Sequence, residues 1–235
     1  MTRSIAVFLI VLLGVPGICV ADDNVTIAAR AVSPLNAITK PVVEEAYRRI
    51  GLNVEFVHFA GNRSIVEANA GKTDGEVSRL RFVLNKFTNL RIVPAPLFSS
   101  ELVAITNDPR IEISDWKSLS PYKTVAPESF RLVWNRLKSH NDAHKVSNTL
   151  EALERLLNNQ AKVAVVNRYE ADRLMVVFQL RNPLIETTLL ESHPIYTFVH
   201  KKNEHLVPRL TRALEEMTRD GTLERIWLEK CARPR

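Results

Sequence analysis

The sequence predicts an α/β protein of two lobes, each a mainly parallel sheet flanked by helices. Strand and helix patterns alternate along the first part of the chain, the order expected of a parallel sheet covered by its crossover helices. The same alternation restarts on a smaller scale beyond the turn signal Asn107-Asp108-Pro109. Between the later helices, Val163-Ala164-Val165-Val166 runs apolar without interruption, as a strand covered on both faces would.

Taken in order, the chain opens with Arg3 and the apolar run Ile5-Ala6-Val7-Phe8-Leu9-Ile10-Val11-Leu12-Leu13, then Gly14, Pro16 and Gly17. This is a secretory leader pattern, shorter than the roughly 20 apolar residues of a membrane helix and followed by the small-residue site Cys19-Val20-Ala21. Cleavage is expected after Ala21, so residues 1–21 are a signal peptide and the mature chain is periplasmic. Lipid attachment at Cys19 is disfavoured by Ile18, a bulky residue where such sites want a small one.

Val25-Thr26-Ile27-Ala28-Ala29 reads as a strand, Ser33-Pro34 as a turn, and Val42, Val43, Ala46, Tyr47 and Ile50 recur at helical spacing until Gly51. The alternating strand Val54-Glu55-Phe56-Val57-His58-Phe59 follows, then a short helix over 64–70 ended by Gly71, then a strand candidate at Glu76-Val77-Ser78. Pro94-Ala95-Pro96-Leu97-Phe98-Ser99-Ser100-Glu101 leads into a crossing strand that continues through Leu102-Val103-Ala104-Ile105; core packing is the expected fate of Phe98.

Beyond the turn, Lys123-Thr124-Val125-Ala126 reads as a strand and 130–138 as a helix. Asn148 opens another helix, with Glu151 completing a capping box and Leu150, Leu153, Leu156 and Leu157 forming its apolar stripe. After Pro183 come the strand candidate Ile195-Tyr196-Thr197-Phe198-Val199-His200 and a helix with Leu206, Leu210, Leu214 and Met217 on one face. Asp220-Gly221 stops it, and Leu223, Ile226 and Trp227 supply one more apolar face. No repeat, low-complexity stretch or flexible linker divides the chain, which favours connections crossing between lobes over two separate beads.

The formal net charge of +6 is spread without a long basic run, so nucleic acid is not an expected partner. Once the leader is removed Cys231 is the single cysteine, which excludes an intramolecular disulfide. His140 and His144 flank the turn signal Asn141-Asp142, and no metal site is expected from them. The sequence holds no Gly-rich phosphate loop, no His-Glu-x-x-His and no Gly-x-Ser-x-Gly elbow, so neither cofactor binding nor nucleophilic catalysis is expected.

Three segments carry a resemblance: Gly51-Leu52-Asn53-Val54-Glu55-Phe56, Gly71-Lys72-Thr73-Asp74-Gly75-Glu76-Val77-Ser78-Arg79, and the ending from Leu206-Val207-Pro208-Arg209 through Asp220-Gly221-Thr222-Leu223-Glu224-Arg225-Ile226-Trp227. In their order and spacing the chain resembles the family 3 periplasmic solute-binding proteins over nearly all of its mature length. The resemblance implies a first lobe built from both chain ends (22–104 plus 190–235), a second from the middle (105–189), and two hinge strands joining them. It also implies a monomer that captures a small solute and delivers it to the membrane subunits of an ABC-type transporter. The sequence departs from the family's amino-acid site at two places. Leu80-Arg81-Phe82-Val83-Leu84-Asn85-Lys86 lacks the Thr-x-x-Arg pattern, and Asn167-Arg168 stands where the ammonium-binding aspartate would fall.

Candidate ligand contacts follow from strand ends at the expected cleft. Arg79 offers a planar guanidinium suited to a carboxylate or phosphate, or else pairs with Glu76 three positions earlier. Glu76 either orients the ligand or serves that arginine. Asn167 and Arg168 follow the apolar strand of the second lobe, where open parallel sheets place ligands. Ser129 and Ser33 stand in loops after strands, with hydroxyl and N–H groups for a carboxylate, and Ser99 lies where the chain crosses between lobes. The expected ligand is a small polar or anionic solute. Two other functions use the same scaffold: a cyclohexadienyl-dehydratase-like enzyme with Glu76 as acid or base, and a soluble sensor for a membrane partner.

Overall fold

The computed structural model describes residues 24–178 and 184–231. The expected leader, with its Cys19 position and cleavage site, lies outside the described residues.

The first elements are β1 (Asn24–Arg30), α1 (Asn36–Arg49), β2 (Asn53–Phe59), α2 (Arg63–Asn69), β3 (Gly75–Leu80), β4 (Leu90–Ile92) and β5 (Phe98–Thr106). The middle adds β6 (Thr124–Pro127), α3 (Arg131–Arg136), β7 (Ala143–Val146), α4 (Thr149–Leu157), β8 (Val163–Asn167) and α5 (Arg168–Val177). The chain returns through β9 (Ile185–His200) to α6 (Val207–Arg219) and α7 (Thr222–Cys231). Among the described residues no helix is long and apolar enough to cross a membrane.

Among the described residues, nine strands form one continuous sheet in the order β2-β1-β3-β9-β5-β8-β6-β7, with β4 added beside β9. Its two ends are parallel: β2, β1 and β3 on one side, β8, β6 and β7 on the other. The two halves meet at β5 and β9, which are antiparallel to each other and to their outer neighbours β8 and β3. These are the two strands that cross between lobes.

Each half has its own core on both faces of its sheet. Along β1, Ile27 and Ala29 face a cluster with Val42, Val43 and Tyr47 of α1 and Leu210 and Leu214 of α6, whereas Ala28 faces Ile65 and Ala68 of α2 with Phe198. Along β8, Ala164 and Val166 meet Leu153 and Leu156 of α4, while Val163 and Val165 meet Leu119, Val133 and Leu137. Burial on both faces is why these strands read as unbroken apolar runs, each large side chain contributing about 1.5–3 kcal/mol of transfer free energy. On β5 the change of core comes early: Phe98 packs with the first cluster, and Leu102 already belongs to the second half.

Most expected elements stand within a few residues of their places, and the differences have local causes. The strand read at 195–200 begins at Ile185 and is 16 residues long. Its first half is polar, carrying Glu186, Thr187, Thr188, Glu191 and Ser192, and breaks alternation at two register shifts against β5. Short β4 and β7 carry too few residues to display a period. The helix expected over 130–138 is α3 followed by a single 3-10 turn at Leu137–Ser139. His144, expected in a turn, lies on β7 and its Nε2 is 2.6 Å from Asp142. Asn148 caps α4 as expected, accepting from the Glu151 N–H at 3.0 Å; the returning Glu151 carboxylate takes the N–H of Ser147, one residue before the cap, at 2.7 Å.

Candidate functional site

Parallel strands deliver their C-terminal ends to a common edge, and in the first half that edge is charged. β1 and β3 are in register at Ala28 and Glu76; Arg30 is the last residue of β1 and Arg79 the last but one of β3, near enough for their charges to act on each other. Ser33, in the loop after β1, accepts from Arg30 Nη2 at 3.2 Å. Asn36, on the first turn of α1, fixes that loop by donating its Nδ2–H to the Arg30 carbonyl at 2.7 Å. Glu76 and Arg79 are brought onto one face, with Arg79 Nε 2.8 Å from Glu76 Oε1. Ser64, at the start of α2, joins them: it donates to Glu76 Oε1 at 3.2 Å and accepts from Arg79 Nη2 at 2.5 Å.

This triad is dry. Glu76 and Ser64 are wholly buried and Arg79 is 9 % exposed. The Arg79–Glu76 contact is an ion pair by distance only, because the Nε–H is not aimed at the oxygen and makes no hydrogen bond. Glu76 Oε2 is buried without a partner among the described residues, and none of them accepts from Arg79 Nη1. Burial raises the Glu76 carboxyl to about 7 against the pull of Arg79, Ser64 and Arg30. The same burial lowers both arginines, and the charge of Glu76 partly offsets it.

The second half presents its own strand and helix ends. Glu170, on the first turn of α5, accepts from the Thr149 hydroxyl at the start of α4, and burial raises its carboxyl above the ordinary range. Its field reaches Arg30 of the other half. Thus two guanidinium groups on one lobe stand with a carboxylate, Glu170, on the other. A zwitterion or organic acid matches that distribution.

Of the residues singled out from sequence, Ser33, Glu76 and Arg79 gather at this edge. Asn167 is spent on structure: Nδ2 donates to Ser100 Oγ at 2.9 Å and Oδ1 caps α5 by accepting the Glu170 N–H at 3.3 Å. Arg168 forms an ion pair with Glu101 on β5. Ser99 is exposed on β5 opposite Pro194 of β9, and Ser129 is exposed one residue ahead of the Phe130 cap of α3. Sequence reasoning passed over Arg30, Ser64, Thr149 and Glu170. The rule applied to β8, that ligands gather past strand C-termini, finds Arg30 when applied to β1; the others depend on packing between distant segments.

No family model matches the chain. An uncharacterised protein of Shewanella oneidensis is 22% identical over 193 residues, covering 78% of this chain and 72% of its own. Among solved structures, the YckB protein of Bacillus subtilis superposes with a TM-score of 0.72 at 18% identity, covering 90% of this chain and 91% of its own. The L-cystine solute receptor of Neisseria gonorrhoeae, in an unliganded open form, gives 0.70 at 14% identity, with 89% and 93% covered. A histidine kinase sensor domain similar to periplasmic binding proteins gives 0.68 at 14% identity, with 90% and 98% covered. The chain therefore has the two-lobed periplasmic-binding-protein-like fold.

Proposed function

We propose that the protein is an exported solute-binding protein that closes its two lobes on a small carboxylate-bearing solute, amino-acid-like or an organic acid, and presents it to an ABC-type membrane transporter. The reading rests on one observation: Arg30 and Arg79 stand near the C-terminal ends of adjacent strands of one lobe, with Glu170 of the other lobe within electrostatic reach of Arg30. A carboxylate on the guanidinium groups and a donor toward Glu170 would tie the lobes together, so that ligand favours the closed form. The lobes are divided at the crossing residues, near Ser99–Glu101 on β5 and Ser192–Pro194 on β9. The solute-receptor likeness supports transport, and the kinase-domain likeness gives a sensor reading in which the occupied lobes signal to a membrane partner. Full burial of Glu76 behind Arg79 and Ser64 favours binding over dehydratase chemistry, since an acid or base must touch its substrate.

Thermal-shift screening of amino acids and organic acids tests the site. Stabilisers are expected, and their effect is lost in Arg79→Ala and in Arg30→Ala; stabilisation that survives both substitutions unchanged overturns the reading. Capture of a transporter permease or of a receptor kinase by the liganded protein from its host's membranes separates transport from sensing.

A further inference from the structure

We propose that the first lobe binds a proton together with its ligand: an incoming carboxylate takes over the Arg79 guanidinium, and Glu76, released from that pairing, is protonated from solvent. The proposal rests on the carboxylate-binding reading of the cleft given above and assigns a second, ionic ligand to the same site.

Four features carry it. Glu76 is wholly buried, so its charge is tolerated only while a cation stands against it. Its cation has capacity to spare, since Arg79 Nε stands 2.8 Å from Oε1 without an aligned N–H and Nη1 is free of protein acceptors among the described residues. Oε2 has no donor among the described residues, so it can carry a proton at no cost in existing hydrogen bonds. Ser64 can serve either state, because its hydroxyl donates to Oε1 or rotates to accept.

The groups around Glu76 are few. Arg79 stands on its own strand, Arg30 at the end of β1, and Ser64 on α2, where buried Glu67 is already paired with Arg63 and Lys72. From β9, Thr197 Oγ1 donates to the Glu76 carbonyl at 3.1 Å, and Tyr196 is in register with Arg79. The charge of Glu170 reaches Arg30 from the other lobe. If Glu76 stayed ionised, a ligand carboxylate would be a second anion sharing Arg79 in a water-poor site, the situation that raises one carboxyl of a close pair. The exchange balances simply: one solvent proton adds to the Glu76 carboxylate, the guanidinium keeps its charge, and no other bond changes. A carboxyl already raised to about 7 by burial needs little further bias to hold that proton at neutral pH.

Sodium acetate is the probe, because it stays ionised throughout the window and carries only the carboxylate. Arginine side-chain NMR signals of the whole mature protein, followed during acetate titration, are expected to give a Kd on the order of tenfold lower at about pH 6 than at about pH 8.5. Calorimetry at about pH 8, where Glu76 is largely ionised before ligand binds, in buffers of different ionisation enthalpy should show net proton uptake on binding. Equal affinity at both pH values, or no proton uptake, overturns the coupling and leaves the carboxylate site standing. Acetate that leaves the arginine signals unmoved at both pH values removes the carboxylate site itself, and the coupling with it. Glu76→Gln should abolish the pH dependence, and a dependence that persists in that variant overturns the assignment to Glu76. The wild-type measurements decide the matter even if this variant does not fold.

Discussion

Glu76 and Arg79 lie three residues apart on β3, yet their side chains meet on one face at 2.8 Å. In a regular strand residues at that spacing point to opposite faces. The ladder against β9 explains the contact: Glu76 is opposite Phe198 and Arg79 opposite Tyr196, so β3 carries one residue more than its partner over this stretch. The extra residue re-aims Arg79, as β-bulges beside functional sites commonly do. Without the irregularity Arg79 would point away from α2 and Ser64.

The irregularity depends on close approach of the backbones just before it. A Cβ on Gly75 would stand 2.2 Å from the Phe198 carbonyl oxygen and 3.2 Å from Ile27 Cδ1. Gly75→Ala is expected to destabilise the protein by about 3 kcal/mol, since a backbone oxygen cannot swing aside. Urea unfolding measures it; a loss within 0.5 kcal/mol of zero, as for ordinary surface changes, would mean that β3 and β9 part easily here.

Burial of Glu76 also gives stability a pH dependence of known sign. Its carboxyl is raised to about 7 in the folded chain, so the native state holds a proton that the unfolded chain has released. The stability from this group is full below the ordinary glutamate range and is lost as pH rises through about 7. Denaturant unfolding without ligand should show lower stability at about pH 8 than at about pH 5.5, with a flatter profile in Glu76→Gln. Glu45 and Asp220, held down at about 2 by hydrogen bonds from Arg48 and Thr222, act oppositely: their contribution is lost as pH falls toward about 2, outside this window.

Tyr169 on α5 and Trp227 on α7 lie 5.5 Å apart by ring centroids, and Trp227 lies 5.7 Å from Phe98 at the start of β5. This aromatic contact joins the α5 helix of the second lobe to the core of the first. Trp227→Ala should cost about 2–3 kcal/mol, less than for a fully buried tryptophan, and loosen the lobes. Differential scanning fluorimetry reads the first effect and X-ray scattering the second, as a larger radius of gyration. An unchanged radius would show that Trp227 does not restrain the lobes.

Helix caps at the cleft give a graded test. Asn148→Ala removes the 3.0 Å acceptor for the Glu151 N–H and should cost about 1 kcal/mol. Asn167→Ala removes both the α5 cap and the 2.9 Å bond to Ser100, so it should cost more, about 2 kcal/mol. Thermal unfolding of the two variants side by side checks the order, and the reverse order would mean that the Ser100 bond contributes nothing.

What the sequence determined by itself is the set of elements whose residues carry their own period. Leu210, Leu214 and Met217 mark a helix face, Val163 to Val166 mark a strand covered twice, and Gly51, Gly71 and Gly221, all at positive φ, mark helix ends. Local spacing is enough there because burial repeats at 3.6 or 2 residues. Strand-end reasoning named Ser33, Glu76 and Arg79 as candidates, and the fold gathers them at one edge. Only the tertiary structure decided which of those side chains meet. The extra residue in β3 is invisible in Gly75-Glu76-Val77-Ser78-Arg79 alone, because it is defined by the partner strand more than a hundred residues later. The same holds for Ser64, brought from α2, and for Glu170, whose charge reaches Arg30 from the other lobe. Contacts between distant segments are fixed by sheet order and register, and one strand's own sequence contains neither.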